Sequence, residues 1–345
     1  MTNANTTLPP ERLLELKDVN VQFELREGTV RAVNGVSYHV NRGEVLGIVG
    51  ESGSGKSVTV RSIMRLLPKN TSRDDGSILF QPEAGKQIQL DGLPSKSRKI
   101  RELRGDAIGM IFQEPMTALS PVHTIGTQIM RTILLHRNCS KKEARERAIE
   151  LLRKVQLPRP EQLVDNYPHQ LSGGMRQRAM IALALSCDPV LLIADEPTTA
   201  LDVTTEAQIL DLLRELQAET GMSIIFITHN FGVVADIADR VAVMYLGQVV
   251  ETGTVDDIFY NPQHPYTRAL LQSVPRLGQA PVHRLKTIPG MVPDPFNVPK
   301  GCSFNPRCEF AVQGTCNVEV PPLVRFSDDQ QARCHFAGKL PEEVA

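Results

Sequence analysis

The stretch Gly50-Glu51-Ser52-Gly53-Ser54-Gly55-Lys56-Ser57 reads G-x-x-x-x-G-K-S. Glycines at those places let successive backbone N–H groups turn inward around phosphate oxygens, with no Cβ in the way. The Lys56 ammonium then suits the β- and γ-phosphates, and the Ser57 hydroxyl suits Mg²⁺. The chemistry expected is capture of a nucleoside triphosphate with Mg²⁺. The competing reading is a glycine-rich turn that binds nothing. The flanks argue against it, because the motif needs a strand before it and a helix after it. Residues 45–49 are an apolar run of strand length, and residues 58–67 read as a helix.

Other apolar runs also end in polar groups. Gln113 follows residues 108–112, Asp195 and Glu196 close residues 190–196, and His229 follows residues 223–228. Ligand groups at the carboxyl ends of parallel strands are the rule in open α/β sheets. Asp195 suits Mg²⁺, through water and opposite Ser57. Glu196 suits a general base on an attacking water. Gln113 suits contact with Mg²⁺ and that water, and His229 contact with the γ-phosphate. A lone histidine after a strand is more often structural; the company of the other strand ends favours the phosphate. Ser172-Gly173-Gly174 opens a helix and makes a second anion site by the same logic. One nucleotide has no obvious use for both loops of one chain, since a helical segment separates them.

The elements that must position these groups follow from pattern. Residues 13–16 and 19–23 read as two short strands, and residues 30–40 as a longer one. Phe23 is the nearest ring for stacking on adenine, and equally a core residue. Residues 69–86 read as a polar loop or hairpin at the surface. Lys96, Arg98, Lys99, Arg101 and Arg104 read as the solvated face of a helix rather than a nucleic-acid patch. Between residues 114 and 171 apolar residues recur at helical spacing, and β-branched runs vanish. There Ser140-Lys141-Lys142-Glu143 has the capping-box pattern, with Ala144, Ala148, Leu151, Leu152 and Val155 on one face. This is a helical subdomain inserted between strands. Residues 204–220 read as a helix stopped by Gly221. Residues 241–246 pair with 248–251 through a turn at Gly247. From residue 261 prolines accumulate, which marks a separate, loop-rich appendage. The expected division is a frayed tail at 1–10, a nucleotide-binding domain at 11–260 and an extension at 261–345.

Composition excludes several classes. The chain has 345 residues, 38 Lys and Arg against 39 Asp and Glu, and a formal net charge of −1. No global field calls for nucleic acid or an anionic membrane. No apolar run approaches a membrane span, and residues 1–10 lack the apolar segment of a signal peptide. The expectation is a cytosolic chain that meets a membrane only through partners. Of six cysteines, Cys139 and Cys187 stand alone and read as small buried hydrophobes. Cys302, Cys308, Cys316 and Cys334 follow C-x5-C-x7-C-x17-C. In a reducing compartment such a group reads as metal ligands before disulfides. The spacing is not the paired form of a zinc ribbon. Four thiolates suit an iron–sulfur cluster or Zn²⁺, or stay unligated. A metal staple would explain how an extension with few periodic apolar residues holds a fold.

Taken in order, the phosphate loop, Phe112-Gln113-Glu114-Pro115, Leu171-Ser172-Gly173-Gly174-Met175, Leu191-Leu192-Ile193-Ala194-Asp195-Glu196-Pro197, Ala200-Leu201-Asp202 and His229 resemble the ATP-binding subunit of an ABC transporter. The resemblance spans about residues 13–260. It implies an α/β P-loop NTPase: a RecA-like core with an antiparallel β subdomain and the helical subdomain of this family, plus a small Cys-containing C-terminal extension. It also implies a head-to-tail pair of domains, in which Ser172, Gly173 and Gly174 of one subunit complete the ATP site of the other. Asp202 joins the nucleotide-binding set by the same resemblance. Met175 departs from the family's usual Gln, which leaves the backbone N–H groups and Ser172 in place. With Glu196 and His229 both present, a regulatory domain that binds without hydrolysing is disfavoured.

Residues 110–121, Asn261-Pro262-Gln263-His264-Pro265-Tyr266-Thr267-Arg268-Ala269-Leu270-Leu271 and Gly301-Cys302-Ser303-Phe304-Asn305-Pro306-Arg307-Cys308 narrow the resemblance. They are similar to oligopeptide, dipeptide and nickel importer ATPases, closest to the D-type subunit of the peptide branch. What this implies is ATP hydrolysis coupled to peptide uptake, with a [4Fe–4S] cluster on the four cysteines. The implied partners are a second, paralogous ATPase subunit, two membrane permeases and a periplasmic or extracellular solute-binding protein. The implied place is the cytoplasmic side of the inner membrane, held through the permeases. Import of nickel or another small solute is the alternative. A soluble ABC ATPase acting on DNA or the ribosome lacks the coiled coil, tandem domain or basic face it would need.

Overall fold

The structure, a computed structural model, describes residues 8–68, 72–199, 201–273 and 287–340. The chain divides into two compact units. One comprises Met1–Leu14, Val40–Val45 and Leu79–Ile227; the other comprises Glu15–His39, Leu46–Ile78 and Thr228–Ala345.

In the first unit, Ser223–Thr228, Leu191–Asp195 and Ile108–Ile111 lie side by side as parallel strands in that order. Every residue of the three is buried. Strands covered on both faces need continuous apolar runs rather than alternation, which is what 108–111 and 191–194 supply. The polar residues that end them sit at the carboxyl edge.

The helical subdomain expected at 114–171 is present as Pro115–Ala118, Ile125–His136, Lys141–Lys154 and Pro160–Leu163, with a 3₁₀ turn at Pro168–Gln170. The capping box forms as its spacing requires: the Glu143 N–H donates to Ser140 Oγ at 3.3 Å, and the Ser140 N–H donates to Glu143 Oε2 at 2.7 Å. Such a cap contributes about 1 kcal/mol. Ala144, Ala148, Leu151, Leu152 and Val155 are all buried, so the apolar face is the packed face. Lys96, Arg98, Lys99 and Arg101 are exposed, while Ile100 and Leu103 of Arg98–Leu103 are buried, as expected of a solvated helix face. Cys187 is buried and its thiol is pushed up to about 11 by desolvation. Cys139 is only half-buried, contrary to expectation.

The frayed tail expected at 1–10 does not extend over residues 8–10. Residues 1–7 lie outside the described residues, but Leu8 is buried and its N–H donates to Gln87 Oε1 at 3.0 Å. A buried leucine and a long-range bond tie residues 8–10 down.

In the second unit the sheet runs Leu323–Arg325, Gln331–Arg333, Gln248–Thr254, Arg240–Tyr245, Val45–Val49. The last two are parallel, and the others pair antiparallel. The turn at Gly247 (φ 76°) is as expected. The proline-rich tail does not stand apart: Gln331–Arg333 pairs with Gln248–Thr254 through Glu251↔Ala332 and Thr252↔Gln331. Pro275 and Pro281 lie outside the described residues. Arg12–Leu25 is one strand of 14 residues, not two short ones. Asp18 at φ 48° kinks it without ending it, which explains the broken alternation. Of residues 69–86, read as a polar loop or hairpin at the surface, 69–71 lie outside the described residues. The rest form a hairpin, Ser72–Glu83 antiparallel to Lys86–Gln89, but Ile78, Leu79 and Phe80 are buried rather than at the surface. No helix among the described residues is long and apolar enough to cross a membrane.

Candidate nucleotide site

The phosphate loop belongs to the second unit. Val45–Val49 is fully buried, and Lys56–Ile63 begins directly at the loop's end. The helix is shorter than the expected 58–67, because Arg65 turns left-handed at φ 52°. Gly50 and Gly55 have φ of 152° and 97°, and a Cβ on either would run into the Met244 or Ala32 carbonyl oxygen. Glycine is therefore required by the loop's own path.

Three bonds hold the loop from inside. The Gly247 N–H donates to the Ser54 carbonyl at 3.0 Å, and the Ser54 N–H to the Glu51 carbonyl at 3.2 Å. The Thr59 N–H closes the first helical bond onto the Gly55 carbonyl at 2.9 Å. Lys56 is buried, with its ammonium 2.7 Å from the Gly50 carbonyl and 3.0 Å from that of Glu51. The cation is thus already aimed into the loop. Ser52 and Gly53 are exposed at the rim, and Ser57 is half-buried on the first turn. His229 is exposed just past Ser223–Thr228, followed by Asn230, whose side chain caps Phe231–Ile237. Phe23 is half-buried on its strand.

Glu51 carries contacts that sequence reasoning missed. Its N–H donates to the Tyr266 hydroxyl at 2.9 Å. Its carboxylate accepts both arms of Arg307, at 2.7 and 3.1 Å. That pairing holds the guanidinium pKa above its ordinary value. Glu51 and Arg307 are 256 residues apart, and nothing local in either stretch signals the other.

The first unit brings a different set together. Asp195 is fully buried at the end of its strand. Glu196 follows in the left-handed region, φ 48°, with its N–H bonded to the Ile227 carbonyl at 3.0 Å. That turn swings the carboxylate toward Gln113, whose Nε2 donates to Oε2 at 2.9 Å. The Thr199 hydroxyl donates to the same oxygen at 3.0 Å. Gln113 and Glu196, singled out separately in the sequence, are hydrogen-bonded partners.

Ser172 caps Gly173–Ala184, its Oγ accepting the Met175 N–H at 3.3 Å. Ser172 and Gly173 are exposed. A Cβ at Gly173 would meet nothing within 4 Å, whereas one at Gly174 would meet Thr205 Cγ2 at 2.8 Å. Gly174 is explained by packing inside this chain; Gly173 is not. Asp202 caps Val203–Thr220 through the Thr205 N–H and hydroxyl, which lower its carboxyl pKa. Ala200, its neighbour in the motif, lies outside the described residues.

Cys302, Cys308, Cys316 and Cys334 line one pocket with Phe304 and Phe336. Burial pushes the Cys308 thiol up to about 12 and that of Cys334 to about 11. The Val312 and Phe336 N–H groups donate to the sulfurs of Cys316 and Cys334 at 3.5 and 3.4 Å. Among the described residues, however, no three of His, Cys, Asp and Glu are arranged to hold a metal ion. The thiols are gathered but do not converge on a point.

Residues 33–199 match the family model described as ABC transporter, and residues 250–316 match that of the oligopeptide/dipeptide transporter C-terminal region. A Brucella melitensis protein, named provisionally as a peptide import ATP-binding protein, is 52% identical over 328 residues, covering 93% of this chain and 96% of that one. The oligopeptide transport ATP-binding protein OppD of Bacillus subtilis is 51% identical over 318 residues, covering 92% and 87%. Among solved structures, a dimeric ATP-binding cassette in a post-hydrolysis state with ADP and Pi matches with a TM-score of 0.62 and 29% identity, over 70% of this chain and 99% of that one. The chain belongs to the ABC transporter ATPases, in the branch that carries the oligopeptide/dipeptide C-terminal region.

Proposed function

We propose that this chain hydrolyses ATP to drive peptide uptake through partner permeases. The observation that carries the reading is an ABC cassette and the oligopeptide/dipeptide C-terminal region in one chain. Similarity to proteins named for peptide import and oligopeptide transport supports peptides over nickel. The cassette occupies about residues 11–260 and the extension 261–345.

The backbone of residues 50–57 cradles the triphosphate, and Lys56 reaches its β- and γ-phosphates. Ser57, Gln113 and Asp195 would hold Mg²⁺, which would supply positive charge against the phosphate oxygens. Glu196 takes the proton of the attacking water, with Gln113 and Thr199 fixing its carboxylate. His229 contacts the γ-phosphate, and Phe23 stacks on adenine. Ser172, Gly173 and Gly174 serve the ATP of a second subunit. The open space at Gly173 supports this, because that glycine has no packing duty at home. The partners are a paralogous ATPase, two permeases and a solute-binding protein; the chain works at the cytoplasmic face of the inner membrane.

Deleting the gene should abolish uptake of radiolabelled di- or oligopeptides, and restoring it should recover the uptake. Loss of nickel uptake with peptide uptake intact would replace the substrate class.

For the four cysteines the group proposed is a [4Fe–4S] cluster rather than Zn²⁺. Zinc needs four sulfurs at about 2.3 Å from one point, whereas a cluster spreads its ligands, and N–H bonds to sulfur tune its potential. Anaerobically purified chain should be brown, with iron and sulfide near four each per chain. A colourless protein with stoichiometric zinc would contradict this.

A further inference from the structure

We infer that the C-terminal extension sets the phosphate loop, through Arg307 and Tyr266 acting as positioning residues on Glu51. The inference rests on the reading of residues 50–57 as an ATP site. It concerns how that loop is held open before nucleotide arrives.

Glu51 is gripped on three sides. Its N–H is bound to the Tyr266 hydroxyl, its carbonyl to the Lys56 ammonium at 3.0 Å, and its carboxylate to both arms of Arg307. Two of the three grips come from beyond residue 260. Neither anchor is loose. Tyr266 is fully buried, and Arg307 is only 6% exposed. The Arg307 guanidinium also bonds the Tyr245 hydroxyl at 3.4 Å and the Pro289 carbonyl at 3.1 Å. Tyr245, Tyr266 and Phe304 pack as a ring triad with centroids 4.6 to 5.3 Å apart. A planar fork seated in such a cluster fixes a carboxylate in direction as well as distance.

The consequence is pre-organisation. With the Glu51 N–H committed to Tyr266, that peptide cannot turn its donor toward the phosphates. The carbonyl of that same peptide, Gly50's, is thereby directed at the Lys56 ammonium 2.7 Å away, and N–H groups further along the loop are left to meet phosphate. A loop held in its binding geometry loses less freedom when ligand arrives. Arg307 sits on the one-turn helix Asn305–Arg307, between Cys302 and Cys308, with Asn305 Nδ2 bonded to the Cys302 carbonyl at 2.6 Å. The fold of the cysteine-bearing extension therefore determines where the fork stands.

Binding of the non-hydrolysable analogue AMP-PNP, with Mg²⁺, to the full-length chain tests this well below its unfolding transition. Arg307→Ala and Glu51→Gln should each raise Kd about 10- to 100-fold, the scale of losing a hydrogen bond between charged groups. The double variant should bind no worse than the weaker single. Tyr266→Phe keeps the ring, loses the acceptor and should raise Kd about 3- to 10-fold. If Arg307→Ala does not fold, Glu51→Gln and Tyr266→Phe decide the matter. A role confined to pinning the extension would lower the unfolding temperature and leave Kd unmoved, and that result overturns the proposal. So does a double variant whose loss is the product of the singles. Failure of the wild-type chain to bind the analogue would instead strike the ATP-site reading.

Discussion

Replacing Glu196 with Gln lowers ATP turnover by about 10²- to 10⁴-fold, the usual contribution of a positioned general base. The amide is nearly the same shape as the carboxylate. It retains an oxygen to accept from Gln113 Nε2 and the Thr199 hydroxyl, which now hold Glu196 Oε2 at 2.9 and 3.0 Å. The left-handed backbone at residue 196 is unchanged by the swap. What is lost is the ability to take a proton. Nucleotide binding should therefore survive while phosphate release in the assembled transporter nearly stops. Wild-type turnover by Glu196→Gln would remove Glu196 from its role.

Lys56→Ala should weaken binding of the Mg²⁺-loaded nucleotide by about 10²-fold or more. A hydrogen bond to a charged group contributes about 1.5–3 kcal/mol, and about 1.4 kcal/mol is a tenfold change in Kd. Two phosphate contacts from one ammonium reach that range. Before nucleotide binds, the same ammonium bonds the Gly50 and Glu51 carbonyls and lies 3.4 Å from Ser54 Oγ. Alanine removes that internal brace as well as the phosphate contact. Calorimetric titration with Mg²⁺ and AMP-PNP reads the loss directly, and affinity within about twofold of wild type, a difference under about 0.5 kcal/mol, would contradict the assignment.

Legibility in the sequence follows how local each signal is. The phosphate loop is eight consecutive residues whose required flanks are equally local, so strand, loop and helix are readable together. The capping box at Ser140–Glu143 and the face from Ala144 to Val155 are likewise short-range and form as read. Boundaries that depend on one backbone angle are not legible. Arg65 ends its helix, and Asp18 bends a strand without breaking it, yet neither is a glycine or proline. Partnerships across the chain are invisible to spacing. Gln113 and Glu196 were each legible as the end of an apolar strand, but their hydrogen bond was not. The Glu51–Arg307 fork joins two motifs 256 residues apart. The proline-rich tail reads as detached because prolines signal loops, whereas residues 331–333 pair with Gln248–Thr254 and extend the sheet.

Peptide uptake into vesicles carrying the permeases, the solute-binding protein and this chain with the proposed second ATPase subunit, with Glu196→Gln in this chain alone, tests the central claim most directly. Hydrolysis at this subunit is held to drive import, so ATP-dependent uptake should fall with turnover to a small fraction of the wild-type rate while nucleotide still binds. Undiminished peptide uptake by the Glu196→Gln assembly would contradict that claim.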